Sequence, residues 1–114
     1  MPRYLWKVSY STEGAQGVLA EGGSSRRATV VKLLETAGGK MELFDYALGE
    51  DDAYLVAEIP DVLDVAAISL IVAAGGGARI TTTQLLTPEE IDTAAKRNVQ
   101  YRAPGALAEL VSEG

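Results

Sequence analysis

The order in which hydrophobic periods follow one another constrains this chain more than any single motif. Tyr4, Trp6, Val8 and Tyr10 alternate with Leu5, Lys7 and Ser9, a period of two that predicts a strand. Ser11 or Thr12 can cap a helix after it, with Ala15, Val18 and Leu19 on one face. Gly22-Gly23-Ser24-Ser25 breaks that helix, because glycine costs about 1 kcal/mol against alanine inside one. Ser24 or Ser25 can cap a second segment whose stripe is Val30, Val31, Leu34 and Ala37, stopped by Gly38-Gly39. Period two returns over 40–48. Phe44, Tyr46 and Leu48 take one face there, and Met41, Leu43, Asp45 and Ala47 the other.

The turn Gly49-Glu50-Asp51-Asp52, its glycine free to take positive φ, leads into a third strand over 53–59. Pro60 ends it, and Asp61 caps a helix that runs to about Ala74 and stops at Gly75-Gly76-Gly77. A fourth strand spans 79–86, with Ile80, Thr82 and Gln84 opposite Arg79, Thr81, Thr83 and Leu85. Thr87-Pro88-Glu89-Glu90 is a capping box with proline at the first helical position, and predicts a short helix to about Arg97. Residues 98–114 read as a tail, with Leu107, Leu110 and Val111 able to form one last amphipathic turn. The order is β-α-β-β-α-β. Two crossovers joined by a hairpin give an α+β, ferredoxin-like fold: a four-stranded antiparallel sheet with helices on one face, plus the late helix and tail. One domain over 1–114 is expected, with its core at about 2–97.

Composition bears mainly on chemistry. At 114 residues and 47% hydrophobic content the chain has enough for one core, burying roughly 65% of its unfolded surface. There is no cysteine, so disulfides, thiolate nucleophiles and cysteine-zinc sites are excluded. There is no histidine either, which removes the commonest general base, the commonest transition-metal ligand and the usual haem ligand. A net charge of -6 repels phosphate backbones, so nucleic-acid binding is not expected. No targeting pattern opens the sequence, and the apolar run 62–74 falls short of the ~20 residues that span a bilayer. The expectation is a cytoplasmic protein that uses no membrane and no intrinsic cofactor.

The helix over 61–74 has no wet side. At ~100° per residue its aliphatics surround it, and Asp64 and Ser69 form no polar stripe. A single sheet covers about half of such a rod. A contact with another subunit or with the C-terminal tail is expected to cover the rest, the alternative being ordinary scattered surface aliphatics.

Four constellations can carry chemistry. Gly22-Gly23-Ser24-Ser25-Arg26-Arg27 offers a helix N-terminus, two hydroxyls and two guanidinium groups, which suits a carboxylate or phosphate. The alternative is a helix kink with solvated arginines. The aromatic face Tyr4, Trp6 and Tyr10, with Phe44, Tyr46 and Tyr54 from neighbouring strands, suits a planar organic ligand or is plain core. Arg79, Thr81 and Thr83, with Lys7 near, can line a pocket or a wet subunit contact, or simply form an exposed face, the reading slightly favoured. The acidic turn Glu50-Asp51-Asp52 beside Asp45 has oxygen ligands, but not the spacing of a calcium loop, and no metal site is expected.

The strand with Tyr4 and Tyr10 leading into Ser11-Thr12-Glu13-Gly14, and Gly22-Gly23 followed by Arg26-Arg27, resemble the GYD-domain family. So do Gly38-Gly39-Lys40, the turn at Gly49, Thr87-Pro88-Glu89-Glu90 and Tyr101-Arg102, so that the likeness covers about residues 1–104. In the name-giving turn Gly49 and Asp52 match, while Asp51 stands where tyrosine is usual. The resemblance implies a branch of the dimeric α/β-barrel superfamily, with ferredoxin-like subunits whose sheets pack in pairs and ligands held between sheet and helices. Relatives there include cofactor-free mono-oxygenases, haem-degrading enzymes and lactone isomerases.

Two functions are expected on these grounds. One is a homodimeric or larger homo-oligomeric module that binds a small anionic or planar organic ligand, through Ser24, Ser25, Arg26, Arg27, Tyr4, Trp6, Tyr10 and Tyr46, or that is structural. The other is a cofactor-independent mono-oxygenase or isomerase, whose base would have to be a carboxylate or tyrosine such as Glu42, Asp45, Glu58 or Tyr46.

Overall fold

The computed structural model describes residues 1–105. The strands are β1 (Arg3–Tyr10), β2 (Lys40–Tyr46), β3 (Ala53–Glu58) and β4 (Ala78–Leu85). The helices are α1 (Thr12–Glu21), α2 (Gly23–Thr36), α3 (Val62–Gly75) and α4 (Pro88–Ala95). The sheet order is β2-β3-β1-β4 with every neighbouring pair antiparallel, the ferredoxin-like arrangement that two crossovers and a hairpin require.

Register explains the core. Phe44, Leu55, Trp6 and Thr82 lie in one row across the sheet, and Tyr46, Ala53, Val8 and Ile80 in the next. Trp6 is 1% exposed, and Leu34 from α2 and Ile59 after β3 are as deeply buried. Each such side chain contributes roughly 1.5–3 kcal/mol of burial. Ala53 and Ala57, fully buried on β3, keep the sheet surface low where larger neighbours must fit. Val65 and Ile68 of α3 are buried and Val72 half-buried, a spacing of three and four that turns one face of the helix to the sheet.

Helix ends follow their local chemistry. Ser11 caps α1, its hydroxyl accepting from the Gly14 N–H at 3.1 Å. Thr87 and Glu90 complete both halves of the capping box on α4. The Gly39 N–H reaches the Leu34 carbonyl at 2.8 Å and the Gly38 N–H the Glu35 carbonyl at 3.0 Å, with Gly38 at φ 67°. This is the left-handed stop expected there.

Three details correct the sequence reading. Gly22, at φ 88°, occupies the cap position of α2, and neither Ser24 nor Ser25 caps it. Gly49 does not take positive φ; the turn is closed instead by the Ala47 N–H on the Asp52 carbonyl at 2.8 Å. β2 ends at Tyr46, and a bulge between Met41 and Leu43 shifts its phase. Met41, expected opposite Phe44, therefore packs on the same core, and Leu48 lies exposed in the turn.

Leu63 and Leu70 of α3 are each 72% exposed, and Val62 and Ile71 are also outside the core. The expected surplus of apolar surface on this helix is present. The amphipathic turn expected at Leu107, Leu110 and Val111 lies outside the described residues.

Candidate functional site

β1 sends Trp6, Val8 and Tyr10 towards the helices, because the alternate positions Leu5, Lys7 and Ser9 face the other way. Opposite them, α2 supplies Arg26, Val30, Leu33 and Leu34, whose spacing of three to four residues places them on one side of the helix. Between these layers lies an inner cavity of about 70 Å³, also walled by Phe44, Leu55, Ile68, Val72, Ala78 and Ile80.

One polar atom of Trp6 has no partner among the described residues: its Nε1–H is fully buried and donates to nothing. An indole N–H can only donate, and a buried donor without an acceptor costs about 1–3 kcal/mol.

A second cleft of about 360 Å³ adjoins the first and shares Tyr10, Arg26, Leu33, Val72 and Ala78 with it. Its outer rim is Gly14, Gly17, Val18 and Glu21 of α1 with Ile71, Gly75 and Gly77. Tyr10 and Arg26 therefore stand where outer cleft meets inner cavity. The rim is tightly packed: a Cβ on Gly14 would lie 1.8 Å from the Gly77 carbonyl oxygen, so only glycine lets α1 approach the turn before β4 this closely. The Ser11 N–H donates to that same carbonyl at 3.0 Å.

Burial, and then the neighbouring Tyr46 phenol, push the Tyr10 hydroxyl up to about 12, while Arg26 pulls the other way. Their rings lie 6.5 Å apart, and Tyr46 also meets Phe44 edge-on at 5.4 Å. Tyr46 anchors the start of α2: its hydroxyl donates to the Gly23 carbonyl at 3.4 Å, and a Cβ on Gly23 would crowd its ring at 2.9 Å.

The structure divides the residues singled out from sequence. Trp6, Tyr10 and Arg26 meet at the cavity. Tyr4 packs against Trp6 in the core with ring centres 5.6 Å apart, and Tyr46 backs Tyr10 from outside the wall. Ser24 and Ser25 are exposed at the start of α2, and Arg27 lines a separate surface cleft with Val31, Glu35 and Lys40. Arg79, Thr81 and Thr83 pair with Ser9, Lys7 and Leu5 on the sheet face away from the helices.

The acidic turn acts as a clamp. The Asp52 carboxylate accepts from the Tyr10 backbone N–H at 2.8 Å, and Asp51 accepts from the Ser9 hydroxyl at 3.3 Å. No group of three or more potential metal ligands occurs among the described residues. Sequence reasoning missed the outer rim, because Gly14 and Gly77 are far apart in the chain and only the crossover brings them together.

The family model of the GYD domain matches residues 4–95, most of the chain. This protein belongs to the GYD-domain family. No curated protein and no solved structure matches it. Within this GYD domain, the turn that includes Gly49 and Asp52 closes the β2–β3 hairpin and holds the end of β1, the strand carrying Trp6 and Tyr10 to the cavity. Asp51, at the position where the motif's tyrosine is usual, fastens the neighbouring Ser9. No helix among its described residues is long and apolar enough to cross a membrane.

Proposed function

We propose that this GYD domain is a homo-oligomeric binding module that holds a small molecule between its sheet and helices. The observation that carries this reading is an apolar-walled cavity with Tyr10 and Arg26 standing where it meets the outer cleft. A binding pocket keeps a few polar groups among apolar walls for its guest.

The enzymatic alternative needs a base at the cavity. Asp45 and Glu58 pair with Tyr54 and Lys40 on the opposite sheet face, and Glu42 is bound to Arg3 there at 2.9 Å. Arg3 holds the Glu42 carboxyl below its ordinary value, chiefly through that hydrogen bond. Tyr10, with a raised pKa, stays protonated at neutral pH and acts as a hydrogen-bonding group, not a base. Geometry thus favours binding over turnover.

The thermal-shift response to a panel of small acids, alcohols and amides tests the reading. At least one class should raise the melting temperature of the intact chain, and Arg26→Ala should reduce that rise. A panel without any shift rejects the pocket.

The oligomer part rests on the uncovered face of the sheet. Leu43, Val56 and Leu5 form an apolar row across three strands, with Lys7, Tyr54 and Asp45 on one side and Arg3 and Glu58 on the other. An apolar centre within a polar border is the composition of an interface between copies, and the superfamily resemblance implies pairing of sheets.

A further inference from the structure

The sheet ends in β2 at one edge and β4 at the other, each with one side unpaired among the described residues. An open edge offers a row of free backbone groups to any extended chain, and proteins ordinarily blunt it with charge, proline or a bulge. β2 is blunted in this way: it carries Lys40, Glu42 and Asp45 and is bulged between Met41 and Leu43. β4 is not. It pairs with β1 in unbroken register from Ala78 to Leu85, it contains no proline, and Arg79 is its one charge. Thr81, Thr82, Thr83 and Gln84 are all exposed.

The ladder fixes which groups face outward. The Ser11 N–H donates to the Gly77 carbonyl at 3.0 Å, and these two residues continue the β1–β4 register. In an antiparallel pair, successive residues turn their backbone groups alternately towards and away from the partner strand. Odd-numbered residues of β4 therefore bond to β1, while Ile80, Thr82 and Gln84 turn N–H and carbonyl to the open edge. β1 agrees from its other side, where the Pro2 carbonyl, at an even position, accepts from the Ile59 N–H that follows β3.

Such an edge is complementary to itself. Two β4 strands meeting antiparallel about a two-fold axis must set even residues against even ones, so the axis passes through a residue and not between two. The two longest overlaps place it at Thr81 or at Thr82. In both, a threonine meets its own copy at the centre, a favourable cross-strand pair. Arg79 then lies opposite Thr83 or Leu85 and never opposite its own copy. The β2 edge of another copy is a poorer match, because its bulge interrupts the row.

We propose that β4 is a second contact between copies, pairing edge to edge with β4 of another copy and joining two four-stranded sheets into one. One such strand pair falls short of the roughly 1,000 Å² that marks a stable interface. The contact therefore acts on copies already joined through their open sheet faces, and the inference rests on that reading. A chain with two different self-matching contacts closes as a tetramer.

The natural chain has no cysteine, so single cysteines report this contact without background. Under mild oxidation either Thr81→Cys or Thr82→Cys, whichever stands on the axis, should form a disulfide-linked pair, since opposed Cα atoms lie about 4.5–5.5 Å apart. Gln84→Cys, exposed on the same strand, should not, because its own copy lies roughly 13 Å or more away along the edge. The natural chain should sediment as a tetramer. Thr82→Pro, which removes an outward N–H and none facing β1, should leave a dimer. Thr82→Lys should do the same by bringing like charges to the junction, and it keeps the test open if the proline variant does not fold.

A natural dimer in which positions 81 and 82 cross-link no faster than 84 overturns the edge contact and leaves the face pairing standing. A tetramer that survives Thr82→Pro and Thr82→Lys overturns it as well. A natural chain that sediments as a monomer removes the face pairing and this inference with it.

Discussion

Tyr10 joins several parts of this molecule. Its backbone N–H is clamped by Asp52, its ring neighbours Tyr46, and it stands with Arg26 between the two cavities. Its pKa, raised by burial from 10.0 to about 12, has a consequence for stability. Between those values the unfolded chain releases the phenol proton and the folded chain keeps it. The unfolded state then binds fewer protons, and stability falls as pH rises. Urea unfolding at pH 9 and at about pH 11 should show a larger loss in the natural chain than in Tyr10→Phe, which lacks that proton. Leu34, 2% exposed beneath the inner cavity, is a simpler case: Leu34→Ala should cost about 2–5 kcal/mol by urea unfolding, through lost burial and the space left behind. At this scale the alternation Tyr4, Trp6, Val8, Tyr10 was enough to place the aromatics on one face. It was silent on Arg26 against Arg27. Adjacent helical residues point about 100° apart, and which of them faces the sheet depends on how α2 is laid across it. Tyr46, hydrogen-bonded to the Gly23 carbonyl and crowding the Gly23 Cα, fixes the start of that helix.

Among the elements, α1 and α4 are held by local chemistry more than by burial, since neither contains a buried residue. For α1 the critical position is Gly14. A methyl there would run into the Gly77 carbonyl, which is backbone and cannot swing aside, so Gly14→Ala should lower stability by about 1–3 kcal/mol. Thermal unfolding followed by circular dichroism checks it, with Gly17→Ala, whose added methyl meets open space inside the same helix, as the control that should raise stability by up to about 1 kcal/mol. For α4, Thr87→Ala removes one half of a complete capping box, worth about 1 kcal/mol of helix stability. Because α4 has no extensive contact with the other elements among the described residues, the change should speed amide exchange within 88–95 and leave exchange in β1 and β3 alone. Capping boxes and glycine stops could be read directly, since each depends on a few neighbouring residues. The bulge in β2 could not. Met41, Leu43 and Phe44 are all apolar, so a slip of phase leaves the hydrophobic pattern unchanged, and only pairing with β3 reveals it.

At the scale of the whole molecule, helices cover one side of the sheet and, among the described residues, nothing covers the other. If copies meet through that open side, the natural chain should sediment as a dimer or larger assembly at micromolar concentration. Val56→Lys, which puts a charge in the centre of the row Leu43, Val56, Leu5, should then yield a monomer with an unchanged circular dichroism spectrum. A natural chain that sediments as a monomer would end the assembly proposal. The order of strands and the one-sided helices were legible because each period of two or 3.6 spans a whole element. The site was legible only in part, since a cavity is what packing fails to fill, and no local pattern records that. The division of labour between α1 and the rest has its own consequence. Trp6, Leu34 and Ile59 hold the fold together, while Gly17, Val18 and Glu21 edge the way in and bury nothing of note. If the cavity is a binding pocket, selectivity and foldability are written on different stretches of chain, and such a doorway can be rewritten residue by residue while the house stands as before.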